Sequence, residues 1–111
     1  MTPRHEACSA YSVSIFIAGD AKLAAMICRE FCDAEGLCVT VTPTTYVYTG
    51  GQEDGVIVGL INYPRFPKTP GAIYATANEL AERLCQMLGQ QSFTVQTPDA
   101  AFWTSYRGDA A

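Results

Sequence analysis

A chain of 111 residues, 49% hydrophobic and 16% charged, is sized for one domain and composed as a compact globule, which excludes a chain disordered throughout. Its formal charge of −4 and scattered cations weigh against a nucleic-acid binder, which needs a basic surface. No apolar run approaches the roughly 18–20 residues of a membrane helix, and the opening MTPRHEACSAYS lacks the apolar core of a signal peptide.

Together these features imply a cytoplasmic protein with no membrane partner. The five cysteines, an odd number, agree with a reducing compartment. Cys28, Cys32, Cys38 and Cys85 lie in apolar segments and read as packing thiols.

Residues 1–10 read as a flexible tail, and 11–107 as a single domain. In YSVSIFIAG, Val13, Ile15 and Ile17 alternate with Ser12, Ser14 and Phe16, the period of a strand. Asp20 is placed to cap a helix, with Leu23, Ile27 and Phe31 on its apolar stripe and Gly36 at its end. A second strand starts at Leu37 and is interrupted by Pro43. TGGQEDG, residues 49–55, reads as a hairpin connection, and GVIVGLINY as a third strand apolar on both faces. After GLINYPRFPKTP, Thr69 and Pro70 open a helix whose stripe is Ile73, Ala77, Leu80, Leu84 and Leu88. SFTVQT forms a fourth strand, and FWTSY is a possible extra one.

The order β-α-β-β-α-β predicts an α+β fold, the ferredoxin-like split βαβ sandwich. Its antiparallel sheet carries two helices on one face. The first and third strands are expected in the centre, with the second and fourth at the edges. Pro43 and Pro98 fall on the edge strands, as a residue without an amide donor requires.

Chemical motifs are sparse. Cys28 and Cys32 share a helix face, but CREFC occurs once, without the repeated close pairs of structural zinc sites, so no metal or other cofactor is expected. The one histidine, His5, lies in the tail, leaving carboxylates as the acid–base groups. No Gly-rich phosphate loop is present.

The stretch with the most pointed composition is 59–70. Its three prolines stiffen a strand-to-helix joint, while Asn62, Tyr63, Arg65 and Phe66 add types that dominate binding hot spots. These four, with Tyr46 and Tyr48 of the hairpin, are the candidate partner-binding residues.

From YSVSIFIAGD through GLINYPRFPKTP to TPDAAFWTSYR, residues 11–107, the chain resembles small proteins found in phage and prophage regions of proteobacterial genomes. The resemblance implies a protein that acts by binding. The leading expectation is a non-catalytic protein-binding module, a homodimer that engages a host or phage protein. Its sharpest form is an anti-defence inhibitor of the anti-CRISPR type. The alternatives are a small-molecule binder or small enzyme, with a pocket near Asn62, Tyr63 and Asp20, and a structural subunit of an assembly.

Overall fold

A computed structural model describes residues 2–108. The elements run β1 (Ser12–Ala18), α1 (Ala21–Glu35), β2 (Thr40–Tyr48), β3 (Gly51–Ile61), α2 (Pro70–Met87), β4 (Ser92–Gln96) and β5 (Ala101–Ser105). The five strands form one sheet in the order β2-β3-β1-β4-β5, every neighbour antiparallel. This is the expected α+β split βαβ arrangement, with FWTSY added as a fifth strand. The addition moves the edge: β4 is covered by β5, so only β2 of the expected pair lies at the margin.

Both helices begin and end for readable reasons. The Asp20 carboxylate accepts from the Leu23 amide at 2.8 Å, and Gly36 takes the left-handed conformation (φ 71°) while its N–H donates to Cys32 O. Thr69 Oγ1 accepts from the Ala72 amide at 3.2 Å, and Pro70 fills the first helical position. The core lies between the helices and one face of the sheet, centred on Ile15, Val58 and Val95 from the strands and Phe31, Leu80 and Leu84 from the helices. Leu23, expected in the buried stripe, is 38% exposed, because the packed face of α1 is narrower and runs along Ala24, Ile27, Cys28 and Phe31.

The β2–β3 hairpin also departs from expectation. The strands stay in register to Tyr48↔Gly51, so Thr49 and Gly50 alone make the turn and Gln52–Gly55 belong to β3. Pro43 does not interrupt β2; it pairs with Val56 on the edge strand. The hairpin extends past the end of β1, whose last partner is Gly55.

At that point Tyr46 leans across β3. Its hydroxyl donates to Val56 O at 2.6 Å and accepts from the Ile17 amide at 3.1 Å. A Cβ at Gly55 would lie 2.5 Å from both Tyr46 Cε2 and Ile17 O, so the crossing requires glycine there.

Candidate functional site

The opposite end of the sheet, where β3 runs out, is organised by Asn62. Its amide donates to Tyr11 O, extending the β3–β1 pairing by one rung. Its Nδ2 donates to Ser9 O at 2.9 Å, and its Oδ1 accepts from the Lys68 amide at 2.9 Å. One side chain therefore clips both the N-terminal segment and the proline-rich strap. Within the strap the Phe66 amide donates to Tyr63 O, closing a turn.

Beneath the strap is a cavity of about 390 Å³, within the roughly 300–1,000 Å³ of small-molecule sites. Leu37, Leu60 and Ile73 supply apolar wall, Tyr63 and Phe66 aromatic wall, and Lys68 and Thr76 polar groups; Cys32 and Cys38 line it too. Both functional ends of Asn62 are already bonded within the protein. The one ion pair among the described residues joins Arg4 to Glu6 at 3.4 Å, so the Lys68 ammonium has no carboxylate partner. A more open hollow of about 450 Å³, lined by Arg4, Glu6, Tyr63, Pro64 and Arg65, has Tyr63 as a shared wall.

The Tyr63 hydroxyl donates to Cys38 Sγ at 3.0 Å. That bond, ahead of burial, raises the tyrosine above its ordinary pKa, because a donor must keep its proton. Burial pushes the Cys28 thiol up to about 11, with Cys32 adding to the effect. Burial also raises Cys32, against the opposing pull of the Val39 amide. Cys28 and Cys32 are therefore thiols at neutral pH, not thiolate nucleophiles. Among the described residues no three His, Cys, Asp or Glu side chains gather as a metal site.

The six candidate residues do not share one surface. Asn62 and Tyr63 are half-buried against the cavity; Arg65 and Phe66 are exposed, with the guanidinium 5.4 Å from the Phe66 ring centroid. Tyr46 and Tyr48 lie at the other end of β3, about 30 Å away at the rise of a strand. Asp20 also lies towards that far end, beside the Gly19–Asp54 backbone bond, so a pocket near Asn62 and Tyr63 cannot include it. Lys68, Cys38 and Thr76 were missed. Cys38 read as a buried packing thiol and is exposed, because it lies in the short crossing between α1 and β2. The position of Lys68, directly before the Thr69 cap, was the one available signal.

No protein-family model matches the chain, and no curated protein matches its sequence. Two solved structures match its fold. A phage SAM lyase in the apo state superposes with a TM-score of 0.71 at 14% identity, covering 89% of this chain and 91% of that one. A phage SAM lyase in complex with S-methyl-5'-thioadenosine superposes with a TM-score of 0.67 at 11% identity, covering 98% and 99%. At these identities the likeness is one of fold, and it agrees with the resemblance to phage proteins. It corrects the expectation of a non-catalytic, anti-defence binding module: the two matched structures are of phage SAM lyase, an enzyme, and one of them holds a small molecule.

Proposed function

We propose that the chain is a phage-type enzyme that binds S-adenosylmethionine in the cavity beneath the 63–68 strap and cleaves it to S-methyl-5'-thioadenosine. The observation that carries this reading is the near full-length likeness to a SAM lyase holding that product. The cavity supports it through its size and its lining. Tyr63 and Phe66 offer faces for a purine, and Leu37, Leu60 and Ile73 an apolar bed for the thioether.

The chemistry suits a site poor in acids and bases. S-methyl-5'-thioadenosine keeps the methyl group and the adenosine, so the bond that breaks joins sulfur to the γ-carbon of the methionine arm. Its electron pair passes to sulfur, which leaves as a neutral thioether. An oxygen of the arm's own carboxylate forms the new bond to the γ-carbon and closes a five-membered lactone, so that no proton is gained or lost. The described residues that line the cavity include no histidine and no carboxylate, and the thiols of Cys28 and Cys32 are held protonated. The protein's part in this reading is to bind, orient and exclude water.

The test is to incubate purified protein with S-adenosylmethionine labelled in its methyl group and separate the products by chromatography. Label appearing in methylthioadenosine supports the reading. Intact substrate after incubation with stoichiometric, folded protein refutes it, as does label transferred to any other acceptor.

A further inference from the structure

Among the described residues lining the cavity, Lys68 alone carries charge. Among the described residues it has no carboxylate partner. Its backbone amide is held by Asn62 Oδ1, which fixes the root of the side chain at the rim. Two residues further on α2 begins, and its first turn contains no acidic residue to offset the positive end of the helix dipole. Arg65 and Arg4 lie across the Tyr63 wall, with Glu6 the single acid among the described residues lining that hollow. In a chain of net charge −4 this corner is locally basic, so the cavity matches a guest that is apolar and aromatic over most of its length and anionic at one end.

Resting on the function proposed above, we infer that Lys68 distinguishes substrate from product by holding the carboxylate of the methionine arm. S-methyl-5'-thioadenosine has no such group. Cleavage therefore removes the anion that Lys68 holds, and the neutral nucleoside is left with its apolar and stacking contacts alone. Lys68 is a specificity residue in this scheme, with no proton to transfer.

The experiment is calorimetric titration with two probes. S-adenosylhomocysteine carries the intact arm without a sulfonium leaving group; methylthioadenosine lacks the arm. Lys68→Gln is expected to weaken S-adenosylhomocysteine about five- to tenfold, the lower range for a charge-assisted bond at an exposed lysine, and to leave methylthioadenosine within about twofold. Lys68→Arg should restore most of the difference, and added salt should narrow it in the wild type. Equal weakening of both probes, or of neither, overturns the inference while leaving the proposed function standing. A wild type that binds neither probe overturns the function and this inference with it.

Discussion

Asn62 offers a perturbation whose size follows from its bonds. Replacing it with alanine removes the Nδ2 bond to Ser9 O and the Oδ1 bond from the Lys68 amide. Each is an exposed or rim hydrogen bond with a net contribution of about 0.5–1.5 kcal/mol, so Asn62→Ala is expected to cost about 1–3 kcal/mol. That is a sizeable part of the roughly 5–15 kcal/mol by which such domains are stable. Asn62→Asp separates the two bonds. Its carboxylate can still accept from the Lys68 amide but can no longer donate to Ser9 O. Urea denaturation measures the stability loss, and hydrogen exchange at the Lys68 amide reads the strap directly. In the alanine variant that amide should exchange about two- to tenfold faster, at tenfold for each ~1.4 kcal/mol of local bond lost; in the aspartate variant it should stay protected. Unchanged stability in Asn62→Ala, within about 0.5 kcal/mol, together with an equally protected Lys68 amide, would show that the strap holds itself and that Asn62 organises nothing.

Three further outcomes are expected. Tyr46→Phe removes the hydroxyl bonded to Ile17 N and Val56 O and should cost about 1–2 kcal/mol in urea denaturation, whereas Tyr48→Phe, at an exposed position, should stay within about 0.5 kcal/mol. Gly55→Ala places a methyl group against the Ile17 carbonyl and the Tyr46 ring, and should lose about 3 kcal/mol or express poorly, because one of the colliding atoms is backbone. The folded-state pKa of Cys28 is raised from 9.0 to about 11, so the folded protein binds that proton more tightly than the unfolded chain. Stability is then full below about pH 9 and falls as pH rises through 11, and Cys28→Ala should flatten that slope in thermal scans at stepped pH.

The fold was legible because its determinants are local. Asp20, Gly36, Thr69 and Pro70 act on their own helices, and Val13, Ile15 and Ile17 alternate on their own strand. The added strand was visible only as a possibility, since β5 depends on pairing with β4 across a tight connection. The site was half legible. Asn62, Tyr63 and Phe66 stood out by type but read as an outward-facing patch. Whether a side chain faces solvent or closes a cavity depends on partners far along the chain, here Cys38 for Tyr63 and Ser9 for Asn62. Asp20 was assigned to the wrong end because antiparallel pairing sends the close of β1 away from the close of β3. Tyr46 and Tyr48 looked alike on one hairpin. Glycine at position 55 separates them, by opening the path that lets the Tyr46 ring cross the strand.

The phenol of Tyr46 touches the central seam of the sheet at both a donor and an acceptor. Most ladder bonds lie between backbone atoms, where no conventional label can be attached without disturbing them. Here the seam extends into an aromatic ring whose fluorinated analogue reports by NMR. A 3-fluorotyrosine at position 46 would act as a gauge of the β1–β3 joint, shifting whenever those two strands part or tighten. Strain arriving from the far end of β3, where the cavity lies, could then be read at a single nucleus on the opposite side of the molecule.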